Sequence, residues 1–201
     1  MHLPLVFLIC YLPLILVGQT PECVLKKEKD NIKVYTCKSD TSKFRSLKAE
    51  FVISNTSIPK LKAFLFNAPN FVNWQYNTIE SSALEIISNN EMIYRVVVDA
   101  PWPVANREII VKISADIRSD DFAYFNVVTA PSQLPETGDL VRVPFFRARW
   151  TVRRLGQSLH AVYNLDIDPG GYVPPFLANM AMADGPYESF KNLKILLEQK
   201  E

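Results

Sequence analysis

Little in this chain of 201 residues is equipped for bond-making chemistry. It holds two histidines, three cysteines and six glycines. With the N-terminal apolar segment set aside, Cys23, Cys37 and His160 remain, too few donors of the right type for a zinc site. No Gly-rich phosphate loop and no Ser/His/Asp set can be assembled from what is left. No catalytic residue, metal ligand or cofactor motif is therefore assigned. Charge is equally uninformative: 22 basic and 21 acidic residues give a net charge of +1. Without a basic field there is no basis for nucleic-acid binding, and no charge run marks an interaction tail. Internal repeats and low-complexity stretches are absent too.

What is present begins with an apolar leader. The first twenty residues contain no Asp, Glu, Lys or Arg, and Leu3 to Val17 is almost wholly apolar. Such a run is short for a membrane span of roughly 20 residues and suits the apolar core of an export signal. Residues 1–19 are expected to be a cleaved signal, with an uncleaved N-terminal anchor as the alternative. The domain proper would then be 22–201, in a periplasmic or extracellular compartment that permits a disulfide between Cys23 and Cys37. Around those two cysteines, "CVLKKEKDNIKVYTC" reads as a hairpin. A three-residue loop at Lys29-Asp30-Asn31 sets the cysteines opposite one another. A two-residue loop at Asp30-Asn31 pairs Glu28 with Lys33 and turns them to opposite faces. The bridge is the expectation, and it favours the first register.

Hydrophobic residues make up 48% of the chain and aromatics 11%, ample for a core and for a hole within it. A third strand is expected over Arg45 to Ile53. Ser57 is placed to cap a helix in which Leu61, Phe64, Leu65 and Ala68 keep helical spacing, ended or kinked at Pro69. Six strands follow: Thr78 to Ile87, Met92 to Asp99, Glu108 to Ile117, Phe122 to Ala130, Leu140 to Leu155 and Ser158 to Asp168. Ile109, Val111, Ile113 and Ala115 alternate with Glu108, Lys112, Ser114 and Asp116, the pattern of a sheet with one buried and one wet face. His160 falls on the wet face of its strand, as do Arg147, Arg149 and Arg153 on theirs. After "DPGGYVPP" the period becomes helical, with Phe176, Met180, Ala183, Tyr187, Phe190, Leu193 and Leu197 forming one stripe. Gly185-Pro186 is expected to kink that helix.

The connection "DAPWPVANRE" is unusual. Pro101 and Pro103 cannot donate to a ladder, so Trp102 is held at the tip of a stiff loop. Three readings stay open for it: an apolar plug against the terminal helix, an amphipathic foot at a lipid surface, or a cap on the core.

Taken with "IKVYT" (Ile32 to Thr36), Trp74, "PWPVANRE" (Pro101 to Glu108), "DPGGYVPPFLAN" (Asp168 to Asn179) and "GPYESFKNLK" (Gly185 to Lys194), this order resembles the START family of lipid-binding domains. That family lies within the helix-grip superfamily of Bet v 1-like proteins and polyketide cyclases. The resemblance covers about Val24 to Leu197. It implies an α+β helix-grip fold: a strongly curved antiparallel sheet of about nine strands around a long C-terminal helix, with short helices after the third strand. It also implies a hydrophobic tunnel closed by that helix, with the Ala100–Arg107 loop as part of its lid.

The resemblance implies binding, and transfer, of a lipid or other apolar small molecule, without catalysis and with transient membrane contact. A cyclase-type enzyme or an interaction module with a filled cavity are the alternatives. Inward parity nominates Tyr94, Ile113, Phe125, Phe146, Trp150, Tyr163, Phe176 and Met180 as lining residues, with Asp99 and Trp102 at the lid. Some lipid-transfer members of the family bury an acid–arginine pair. Asp99 sits near the acid's place, the expected arginine position is apolar, and Arg95 is two residues from Asp99 on the same strand and placed to pair with it.

Overall fold

The computed structural model describes residues 22–38, 45–130, 134–136 and 138–199, without the side chains of residues 45, 175, 176, 178–181 and 183. The apolar leader lies outside the described residues. Strands β1 (Cys23–Lys29) and β2 (Ile32–Cys37) form the first hairpin. Its turn is the two-residue one: Lys29 pairs with Ile32 and Glu28 with Lys33. Asp30 and Asn31 both have positive φ, 53° and 58°, the left-handed pair that matches strand twist in tight hairpins. The cysteines are nevertheless bridged, with Cα atoms 4.0 Å apart. A β-bulge between Leu25 and Lys27 shifts the register by one residue, so that Cys23 faces Cys37 after all. The expected bridge is present, but by a different route: the extra residue sits in the strand, not in the turn.

Beyond β3 (Arg45–Ile53), helix α1 (Ile58–Leu65) starts at Ser57, whose hydroxyl accepts from the Lys60 N–H, with Pro59 in the first turn. The expected longer helix is divided here, because a short 3-10 helix takes over at Ala68–Asn73. There follow β4 (Thr78–Ser88), β5 (Glu91–Val98), β6 (Asn106–Ser119), β7 (Phe122–Thr129), β8 (Leu140–Arg142), β9 (Phe145–Leu155), β10 (Ser158–Asp168) and α2 (Pro175–Glu198). The single strand expected over Leu140 to Leu155 is thus two. Pro144 has no N–H to give a ladder, and the chain leaves β8 there to begin β9. β8 instead pairs parallel with the start of β6.

The sheet runs β1-β2-β3-β10-β9-β7-β6-β5-β4, antiparallel along this whole path. Its inner face carries Val34, Phe51, Met92, Val111, Phe125, Val152, Leu159 and Ala161, all buried. The outer face is polar, as the alternation requires. There Arg147 donates to Asp166 at 2.7 Å, and the Arg149 and Arg153 guanidinium groups lie over the rings of Tyr124 and Phe122, at 3.9 and 4.2 Å. His160 meets the Glu50 carboxylate at 3.1 Å.

Helix α2 runs unbroken through Gly185-Pro186 and packs chiefly on β2 and β3. Its C-terminal half fills one side of the concave face, with Tyr187, Phe190, Leu193 and Leu197 buried. Phe190 stacks on Phe51 at 4.5 Å and meets the Trp150 edge at 5.4 Å. Polar contacts bolt this half to the first hairpin. Lys27 pairs with Asp184 at 2.7 Å, and the Tyr187 hydroxyl donates to Asp30 at 2.5 Å, which holds the Asp30 carboxyl below its usual range. Lys194 also donates to the Asp30 carbonyl, and Glu198 accepts from the Ser54 N–H. The sheet is wider than the helix can fill, so its β5–β6 side is left without that packing.

Candidate functional site

The uncovered side encloses a cavity of about 530 Å³, within the ~300–1,000 Å³ usual for small-molecule sites. Five strands, β5, β6, β7, β9 and β10, supply its floor and walls through side chains of one parity. The 3-10 helix supplies Phe71, the residue after it is Trp74, and α2 supplies Leu177, Gly185, Pro186 and Phe190. A Cβ at Gly185 would rest in van der Waals contact with the Tyr76 ring, 3.4 Å away. Exposed lining residues gather at Tyr76, Asn77, Asp99 and Pro101, which mark the mouth.

Of the residues nominated from sequence, Tyr94, Asp99, Ile113, Phe146, Trp150 and Tyr163 line this cavity. Phe125 does not. It is wholly buried on β7, and the larger indole of its ladder neighbour Trp150 reaches the void instead. The side chains of Phe176 and Met180 lie outside the described residues. Trp102 is 91% exposed and does not touch the cavity, so it neither plugs it against α2 nor caps the core. The two prolines that stiffen the loop also carry the indole outward, beyond the packed surface. Ala100, Pro101 and Val104 of the same loop face inward in its place.

Arg95 does not pair with Asp99. It lies on the outer face, where its guanidinium donates to Glu108 at 2.6 Å and to Glu80 at 2.7 Å. Parity along β5 fails to carry over to Asp99 because the strand ends at Val98. Arg142 also donates to Glu108. Burial would raise the Glu108 carboxyl, but its hydrogen bonds to Arg95 and Arg142 outweigh that and hold it below the usual range.

Sequence reasoning missed Arg107. Only 8% exposed and part of the lining, it donates to three main-chain carbonyls: Gly170 at 3.1 Å, Pro169 at 3.4 Å, and Ala105. Among the described residues no carboxylate pairs with it, and burial pushes its pKa down. The signal was available, since Arg107 has the parity of Ile109, Val111 and Ile113. The guanidinium latches the Ala100–Arg107 loop to the Asp168-Pro169-Gly170-Gly171 turn. In that turn the Gly170 N–H donates to the Asp168 carboxylate at 2.9 Å, so the aspartate shapes its own turn.

The lining is apolar over most of its area, but neutral polar groups deep in it lack partners. The Trp74 indole N–H and the Thr78 hydroxyl are buried with no hydrogen bond. The Tyr94 and Tyr163 hydroxyls have none either among the described residues, and burial pushes both phenols far up.

No protein-family model matches the chain. Among curated proteins it is similar to the uncharacterised protein PA1579 of Pseudomonas aeruginosa. The two are 25% identical over 177 residues, covering 88% of this chain and 87% of that one. Among solved structures it is similar to the STAR-related lipid transfer protein of Xanthomonas axonopodis, with 26% identity and a TM-score of 0.79. That match covers 88% of this chain and 99% of the other. Human StAR-related lipid transfer protein 5 shares the fold at 15% identity and a TM-score of 0.74, over 88% of this chain and 86% of the human one. The chain is a START-like domain with the helix-grip fold.

Proposed function

We propose that this START-like domain binds a lipid or other apolar small molecule in its internal cavity and carries it, without catalysis, outside the cytoplasm. The observation that carries the reading is the cavity itself, a preformed void walled by aromatic and aliphatic side chains with few polar groups. A void of that size costs packing energy unless something fills it. The charged side chains on its lining are Asp99, at the mouth, and Arg107, which is committed to three carbonyls. That arrangement supports binding over a cyclase-type reaction, which needs ionisable groups converging on a substrate. The likeness to the lipid transfer protein from Xanthomonas supports it further.

Two observations support the finer parts of the reading. The Cys23–Cys37 bridge and the apolar leader suit an oxidising compartment. Trp102 and Tyr172, 91% and 81% exposed, sit on the two segments that Arg107 ties together beside the mouth. Aromatic side chains with a polar edge favour the headgroup level of a bilayer, which supports transient membrane contact during loading.

Native mass spectrometry of the domain purified from its own compartment, followed by organic extraction, tests the function. The expected result is a mass increment matching an extractable apolar compound. Apo protein that takes up no lipid from vesicles would refute the reading. Retained vesicle binding after Trp102→Ala would refute the part given to Trp102, and no vesicle binding by the unaltered domain would refute the membrane contact.

A further inference from the structure

Tyr94 stands on β5 and Tyr163 on β10. Their strands lie four spacings apart in the sheet, roughly 19 Å along its surface. Curvature brings both side chains to the lining of one cavity on the concave face. Both rings are held from behind. Tyr94 meets the Phe71 edge at 4.9 Å, and Tyr163 is packed against Trp150 and Phe190 at 5.0 and 5.2 Å. The hydroxyl ends have no hydrogen-bond partner among the described residues. Tyr94 is 6% exposed. Tyr163 keeps more accessible surface than Tyr94 although burial pushes its phenol far up, the combination expected of a group facing an internal void.

A hydroxyl that a ligand cuts off from water without giving it a partner is costly, and here two open into one cavity lined mostly with apolar groups. A bare hydrocarbon would leave both unsatisfied. An anion would gain hydrogen bonds but bring an uncompensated charge into that space, since the one buried cation on the wall, Arg107, is engaged by carbonyls. A single uncharged oxygen has two lone pairs, one for each phenol.

Resting on the cavity being a ligand site, we propose that Tyr94 and Tyr163 form a paired hydroxyl station that clasps one neutral oxygen of the ligand, in an alcohol, ketone or ester. The cavity therefore selects an apolar molecule with one such group over the matching hydrocarbon and over the matching anion.

The test is displacement of diphenylhexatriene, a hydrocarbon probe, by hexadecane, hexadecanol, methyl palmitate and palmitate delivered from cyclodextrin. In the unaltered domain, hexadecanol and methyl palmitate should displace the probe at about tenfold lower concentration than hexadecane, the worth of one or two buried hydrogen bonds. The Tyr94→Phe/Tyr163→Phe double variant, with each ligand's displacement read relative to hexadecane in the same variant, should lose that advantage. Each single variant, which covers failure of the double to fold, should lose roughly half of it on a logarithmic scale. The infrared carbonyl stretch of bound methyl palmitate should sit lower in the unaltered domain than in the variants. An advantage that is absent at the outset, or that survives in the variants, overturns the station. Palmitate outcompeting both neutral ligands also overturns it and moves the headgroup to Arg107. If neither the probe nor any of the four ligands binds, the ligand-site reading itself fails, a result distinct from the other two.

Discussion

Replacing Arg107 by methionine keeps most of the side chain's length and removes its three donors. The guanidinium makes one good hydrogen bond to Gly170 at 3.1 Å, one long one to Pro169 at 3.4 Å, and one to Ala105. Hydrogen bonds to charged groups contribute about 1.5–3 kcal/mol each, and the sum is an upper limit because the three share one group. Against it stands desolvation of the charge, visible as the lowered pKa, which methionine does not incur. The net cost should be about 2–4 kcal/mol, a drop of roughly 1–2 M in the urea midpoint at an m-value near 2 kcal/mol/M. The local signature is more diagnostic than the total. Backbone amides of Ala100, Val104 and Gly170, which donate to Asn106, Pro101 and Asp168, should exchange faster together, because one side chain ties both segments. Release of a preloaded fluorescent lipid should quicken as well, since the freed segments border the mouth. Hydrogen exchange that accelerates in the Ala100–Arg107 loop while Gly170 keeps its protection would refute the latch. So would a midpoint shift below about 0.5 M.

Other outcomes can be checked independently. Reducing the Cys23–Cys37 bridge, which closes a separation of 14 residues, should cost about 3 kcal/mol in the chain-entropy account, read as a lower urea midpoint in reductant; titration of both cysteines as free thiols in the oxidised, denatured domain would remove its basis. Gly170→Ala should cost about 1–3 kcal/mol, because φ is +67° and a Cβ would come to 3.1 Å from the Arg142 carbonyl, whereas Gly138→Ala, with nothing within 4 Å, serves as the thermal-melt control. Ile113→Trp should weaken lipid binding while moving stability by less than the roughly 1–3 kcal/mol that overpacking costs, since Ile113 borders a void; lost stability with intact binding would mean a packed core. Glu108, depressed below 4.5 in the folded state, contributes stability that is present above its unfolded pKa and lost as pH falls through its folded one. Urea titrations below pH 4.5 should therefore show an acid-side decline that Glu108→Gln flattens.

Sequence alone determined the order of elements, the wet and buried faces of the central strands, the apolar stripe of α2 and the pairing of Cys23 with Cys37. These follow from local periodicity and from composition, which act over a few residues. Even Arg107 was legible by parity, but an arginine set among inward residues reads as an exception until its three carbonyl partners are seen. Register and reach were decided at a distance. The hairpin took the tight turn that two left-handed residues allow, and a bulge at the far end restored the alignment the bridge needs. Asp99 left the parity of Arg95 because the strand ends one residue before it. Trp102 was aimed outward by a loop whose other residues were drawn in to cover the mouth. The cavity belongs wholly to tertiary structure. It exists because the sheet curves around a wider space than one half-helix can fill, and that curvature, summed over four strand spacings, sets the Tyr94 and Tyr163 hydroxyls in the same void.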